Sequence, residues 1–254
     1  MEPDRVKGSG STPRLRVFPD ARALVRAAAA EVLRRGRGAV RERGLFNLVL
    51  AGGNTPMALY QTLGAARSAR SDLWHRTHLF WGDERAVPPE DPASNYGVAW
   101  KVGLQRLSVP AENVHRVEGE SEDARHAAIL YETELRSRFP GAAWPRFDLA
   151  LLGLGADGHT ASLFPGSDAL DERERWTEVA EGGDPPRPRV TLTLPALNGA
   201  DVVLFLVTGR RKTEALGRLL GLPGGELLPA QRVHPRTERL VFADHSAMGE
   251  SPGA

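Results

Sequence analysis

Short apolar runs alternate along the chain with longer amphipathic stretches. LFNLVLAGG (45–53), THLFW (77–81), FDLALLGLG (147–155) and DVVLFLVTG (201–209) are almost continuously apolar and close on glycine or polar residues. Runs of that length and bounding read as strands buried on both faces. ERLVFAD, ending near Asp244, reads as a last strand; RVTLTL (189–194) alternates like one, and NVHRV (113–117) is a weak one. Helical periodicity fills the intervals. One helix runs from an Asp20 cap to about Arg43, and TPMALYQTLGAA carries Pro56 at a favoured early position. A third starts at Ser94 or Asn95 and runs to about Leu107; a fourth spans Ser121 to Arg138. Asp157 opens a short helix through about Leu163, RRKTEALGRLLG (210–221) is the last helix, and GGDPPRP (182–188) is a loop. Strands alternating with helices predict an α/β fold: a doubly wound, mostly parallel sheet with helices on both faces. Residues 14–246 are expected to form one domain between a disordered tail (1–13) and a flexible one (247–254). The segment 100–139 is a candidate small subdomain, and no internal repeat is found.

Composition narrows the function classes. The 254 residues carry 33 Lys plus Arg against 32 Asp plus Glu, a net charge of +1. That balance argues against a general nucleic-acid or membrane-surface binder. With no cysteine there is no disulfide scaffold, Cys nucleophile or thiolate metal site. No apolar run approaches the roughly 18 residues of a membrane span. The N-terminal stretch lacks an apolar core and carries Glu2 and Asp4, so a cytoplasmic protein is expected.

In an open parallel sheet ligands bind at the carboxyl ends of the strands. Four strands here end in polar or glycine-rich turns: Gly52–Thr55, Gly82–Arg85, Gly153–His159 and Thr208–Lys212. A parallel sheet puts them on one edge, where they can converge. Gly52, Gly53, Asn54 and Thr55 lead into a helix, and unpaired N–H groups at a helix start form a phosphate cradle. The alternative is a tight turn capped by Asn54 or Thr55. The GK[ST] ending of a Walker A loop is absent. Arg85 and Lys212 are the cations best placed for a phosphate. Only three of the 33 basic residues are lysines, which singles out Lys212 in the first turn of its helix.

Gly153, Gly155 and Gly158 match G-x-G-x-x-G, with Glu178 where a ribose-binding acid would stand. That dinucleotide reading is set aside, because Asp157 and His159 flank the third glycine where small residues are needed. Near the second position of a helix, His159 would be held neutral and suited to general-base work. Asp157 would orient it, or simply cap the helix. The other histidines show no metal-ligand spacing, so no structural metal is expected, and no G-x-S-x-G elbow suggests a serine hydrolase. The residues alone point to a phosphorylated small molecule, a histidine base and no covalent nucleophile.

These turns, in this order, resemble the 6-phosphogluconolactonase family. The matching segments are LAGGNTP (50–56), FWGDERAVPPEDPASNYG (80–97), FDLALLGLGADGHTASLFPGS (147–167) and RVTLTLPALNGADVVLFLVTGRRK (189–212), within about residues 15–246. The resemblance implies hydrolysis of 6-phospho-D-glucono-1,5-lactone to 6-phospho-D-gluconate, in the oxidative pentose phosphate pathway, without a cofactor. It implies the fold shared with glucosamine-6-phosphate deaminase and ribose-5-phosphate isomerase. His159 would activate the attacking water and Asp157 support it. Gly53, Asn54, Thr55, Arg85 and Lys212 would hold the phosphate, with Gly52, Asp83 and Arg189 in the same binding region and Asn95 as a helix cap. The family more often has Ser where Asn54 stands. The implied partner is a sugar-phosphate lactone, with no nucleic acid or membrane, and the protein a monomer or weak homo-oligomer. Two alternatives are a deaminase on the same fold and a non-catalytic sugar-phosphate sensor. The deaminase turn carries a ring-opening glutamate where this chain has Phe164. The sensor needs a preceding DNA-binding module, for which the 13-residue tail is too short.

Overall fold

The computed structural model describes residues 12–183 and 186–250; the expected tails fall largely outside them, as do two residues of the 182–188 loop. In chain order the elements are β1 (Arg14–Phe18), α1 (Ala21–Arg43), β2 (Phe46–Leu50), α2 (Asn54–Ala65), α3 (Asp72–His75), β3 (Thr77–Trp81), β4 (Asp83–Arg85), α4 (Asn95–Val102), β5 (Val114–His115), α5 (Ala124–Arg138), β6 (Leu149–Gly153), β7 (Thr177–Gly182), β8 (Arg187–Leu192), α6 (Leu194–Asn198), β9 (Val202–Val207), α7 (Thr213–Leu219) and β10 (Glu238–Asp244). Seven strands form a sheet in the order β1-β10-β9-β6-β2-β3-β5, every neighbouring pair parallel. Every residue of β2 and β9 is buried, which is why they read as unbroken apolar runs. Asp20 caps α1, accepting from the Ala23 amide at 2.7 Å, and Gly44 ends it at φ 79. Leu24 and Val32 of α1 are fully buried, each contributing about 1.5–3 kcal/mol.

The strand order fixes where a ligand can sit. From β2 the chain moves outward through β3 to β5, then returns to β6 on the other flank of β2 and continues outward through β9 to β10. The connections of β2 and β6 therefore leave in opposite directions and open a crevice at their carboxyl ends.

Four features differ from the sequence reading. RLRVF forms β1, an edge strand whose arginines and exposure hide it among loop residues. The turn at Gly82–Arg85 is the start of a second sheet: β4, β8 and β7 pair antiparallel. The chain leaves the large sheet at Gly82, whose amide still donates to the Leu50 carbonyl at 2.9 Å. The helix expected to reach Leu107 stops at Val102. A Cβ at Gly103 would lie 2.0 Å from the Tyr60 carbonyl oxygen, so the chain crosses α2 there too closely for a regular helix to continue. Within 100–139, β5 pairs with β3 and α5 packs against β7 and β8. The loop is shorter than expected, because β7 runs to Gly182 and β8 starts at Arg187.

Candidate active site

The crevice holds a cleft of about 320 Å³ lined by Gly52, Gly53, Asn54, Thr55, Asp83, Arg85, His159, Arg189 and Lys212, together with Asn95 and Thr208. Nine of the ten residues singled out in the sequence thus meet on one surface. The tenth, Asp157, sits directly behind His159.

One wall is the start of α2. Its cap position is Gly53, at φ 96, and no side chain caps the helix. The alternative reading, in which Asn54 or Thr55 caps it, is not what forms: Thr55 instead shares a 2.7 Å hydrogen bond with Thr208 at the end of β9. The first-turn amides keep their donors for a ligand, and the helix dipole favours an anion there. Gly52 is required by space, since a Cβ would lie 2.1 Å from Asn95 Oδ1. Lys212 closes a 3-10 turn and takes the cap position of α7, rather than lying in its first turn. Burial, then the neighbouring Arg211, lowers its pKa, while Asp157 works the other way.

The second wall carries the dyad. Residues 157–163 do not form a helix. Gly158 lies at φ 84, Ala161 at φ 49, and a Thr160–Leu163 bridge closes a tight turn between them. No helix dipole therefore acts on His159 from this segment, contrary to the sequence expectation. What holds the imidazole is Asp157: its Oδ1 lies 2.6 Å from His159 Nδ1 and accepts from the His159 amide at 3.1 Å. Burial works to raise the Asp157 carboxyl, but the amide and imidazole of His159 outweigh it and hold it below the usual range. An ionised carboxylate at that distance places the proton on Nδ1 and leaves Nε2 as an acceptor. Gly155 makes this possible, because a Cβ there would lie 2.1 Å from Nδ1 and 2.3 Å from Asp157 Oδ1.

The third wall is the small sheet. Arg85 on β4 pairs in register with Arg189 on β8. Like charges directly opposite each other are unfavourable, a cost that an anion between them would offset. Burial, above all, lowers the pKa of Arg189; Asp83 opposes that and Arg85 adds to it. Arg189 Nε donates to the Gly182 carbonyl at 3.1 Å, and its Nη1 lies 3.8 Å from Asp83 Oδ2. Asp83 also accepts from Ser162 Oγ at 2.7 Å, while Asn95 Nδ2 donates to its backbone carbonyl at 2.8 Å. Asn95 is therefore not the cap; Ser94 is, accepting from the Gly97 amide at 2.9 Å. Buried Glu84 ties the wall to α4, accepting from the amides of Asn95 and Tyr96 at 2.7 Å each.

Sequence reasoning missed Thr208, Ser162 and the tie made by Asn95. Thr208 stood inside a flagged turn, so its signal was present; Ser162 gave none. Glu178, the acid of the discarded fingerprint, lies on β7 and pairs with Arg175. Among the described residues no three His, Asp or Glu side chains gather as a metal site requires, and no helix is long and apolar enough to cross a membrane.

Comparison with known proteins places the chain in a family. The sequence model of the family described as glucosamine-6-phosphate isomerases/6-phosphogluconolactonase matches residues 19–242. A 6-phosphogluconolactonase of Synechocystis is 39% identical over 238 residues, covering 92% of this chain and 97% of that protein. One of Nostoc is 37% identical over 237 residues, covering 92% and 96%. The solved 6-phosphogluconolactonase of Thermotoga maritima superposes with a TM-score of 0.80 at 32% identity, over 91% of this chain and 99% of that one. A monomeric glucosamine-6-phosphate deaminase, at 21% identity and a TM-score of 0.78, shares the fold. The chain belongs to the glucosamine-6-phosphate isomerase/6-phosphogluconolactonase family.

Proposed function

We propose that the protein hydrolyses 6-phospho-D-glucono-1,5-lactone to 6-phospho-D-gluconate, the lactonase step of the oxidative pentose phosphate pathway, with His159 as general base. The observation that carries this reading is the Asp157–His159 pair, 2.6 Å apart, on a cleft that also holds an uncapped helix start and three cations. In the mechanism, His159 Nε2 takes a proton from water as its oxygen bonds to the lactone carbonyl carbon. Negative charge develops on the carbonyl oxygen, and Arg85 and Arg189 are the cations on the opposite wall. The tetrahedral intermediate collapses, the bond to the ring oxygen breaks, and His159 returns its proton to that oxygen. Water and lactone give one acid and one alcohol, and nothing is oxidised. The amides of Asn54 and Thr55 with Lys212 receive the phosphate. Asp83, an anion already engaged by Ser162, suits sugar hydroxyls or the orientation of Arg189 better than a phosphate.

The fold does not separate a lactonase from a deaminase, but Phe164 does, because a hydrocarbon ring cannot take the proton that ring opening requires. We read the protein as cytoplasmic, acting on the free sugar phosphate without nucleic acid, as a monomer or weak homo-oligomer. The test is hydrolysis of freshly generated 6-phosphogluconolactone, corrected for the spontaneous rate, beside ammonia release from glucosamine 6-phosphate. Lactone hydrolysis without ammonia is expected; steady ammonia release overturns the reading.

A further inference from the structure

Phe164 does more than stand where a deaminase has an acid. Its ring centroid lies 4.7 Å from that of His159, tilted by 49°. The guanidinium carbon of Arg189 lies 5.6 Å from the same centroid. The ring does not line the cleft; it sits behind two groups that do. Its seat is Gly182 at the end of β7, where a Cβ would lie 2.4 Å from ring atom Cε2. The same glycine's carbonyl accepts from Arg189 Nε at 3.1 Å.

We propose that Phe164 is a positioning residue for the reaction, holding the imidazole of His159 and the guanidinium of Arg189 on one ring and keeping them apart. The inference rests on the lactonase reading for its chemistry. A single hydrogen bond from Nδ1 to Asp157 leaves an imidazole free to swing about that bond. A second contact, from the tilted ring of Phe164, removes that freedom and aims Nε2 at the cleft. Arg189 is tethered at Nε, and the aromatic face fixes the fork that the tether leaves loose. Without the ring, the guanidinium gains room to approach the base, where a positive charge opposes proton uptake. One side chain therefore sets the geometry of the base and of a cation that binds the lactone and faces its developing charge.

Three variants separate this role from simple packing. Phe164→Leu keeps an apolar side chain and removes the face. Phe164→Tyr keeps the face. Gly182→Ala leaves Phe164 unchanged but pushes its ring off its seat. For Phe164→Leu and Gly182→Ala, kcat falls and KM rises together, by about 3–30-fold in kcat/KM, the range a partly buried cation–π contact supports. Phe164→Tyr stays within about 3-fold of wild type. The loss in Phe164→Leu with Arg189→Met falls short of the product of the single losses, because the two residues act through one contact. NMR relaxation spectra of the His159 imidazole supply a readout independent of turnover: the ring holds one orientation in wild type and becomes mobile in Phe164→Leu, with the Nδ1–H bond to Asp157 kept in both. If wild type fails to hydrolyse the lactone, the functional reading fails and the spectra still decide the positioning. Wild-type kinetics and an unchanged imidazole mobility in Phe164→Leu overturn the inference. So does an equal loss in the Leu and Tyr variants that follows their melting temperatures.

Discussion

Gly155→Ala adds one methyl group to a residue that touches no substrate in the proposed mechanism, yet it should disable the enzyme. The new Cβ would lie 2.1 Å from His159 Nδ1, and ordinary contact begins at 3.4 Å, so the imidazole must retreat by about 1.3 Å. The Asp157 carboxylate must give way as well, since it stands 2.3 Å from the same point. A misplacement of about 1 Å at a reacting group costs up to about 10²-fold in rate, and full loss of a general base costs about 10²–10⁴-fold. We therefore expect kcat to fall by about 10²-fold. The fold should tolerate the change. Gly155 lies outside the left-handed region, and its amide can still donate to the His159 carbonyl, 2.8 Å away. Steady-state hydrolysis of fresh lactone, with the spontaneous rate subtracted, measures the effect, and a melting curve controls for folding. Activity within about threefold of wild type would refute the claim that this glycine exists to seat the dyad. A dinucleotide fingerprint would instead need Gly155 for a pyrophosphate, and the variant would then leave the lactonase rate alone.

Two further outcomes follow from the same geometry. Lys212→Ala should lower kcat/KM for the phosphorylated lactone by about 10–150-fold, the worth of a charge-assisted hydrogen bond of roughly 1.5–3 kcal/mol; unphosphorylated gluconolactone should be a poor substrate for both proteins, and an equal loss on both would move the lysine from the phosphate to the lactone carbonyl. Stability should fall with acidification: burial, then Arg138 and His115, push His78 down to about 4, and burial pushes His115 down against the pull of Glu134. An unfolded imidazole titrates near 6.5, so between about pH 6.5 and 4 the unfolded chain binds more protons, and the stability present above that window is lost as pH falls through it. Urea unfolding of wild type and His78→Gln across that range checks the sign, and a difference that does not shrink on acidification contradicts it.

The central strands were legible because burial on both faces leaves an unbroken apolar run, as in VVLFLV of β9. The crevice followed from them, since the turns after β2, β6 and β9 lie on one edge of a parallel sheet. The small sheet was not legible. Asp83–Arg85 is three polar residues long, and its partners come from more than a hundred residues away. The 157–163 turn was misread because Asp followed by a short amphipathic run mimics a capped helix. Gly158 and Ala161 in left-handed conformations break it, and only the glycine announces that in sequence. The role proposed for His159 does not need that helix: Asp157, two residues away, orients the imidazole, which is a different effect from a dipole that disfavours its charged form.

The account stands on His159 as the base that turns water on a phosphorylated lactone. The direct measurement is the hydrolysis rate of freshly generated 6-phosphogluconolactone by wild type and His159→Ala, each corrected for spontaneous opening and each confirmed folded. The account predicts clear catalysis by wild type and a fall of about 10²–10⁴-fold in the variant. A variant within a few-fold of wild type would contradict it.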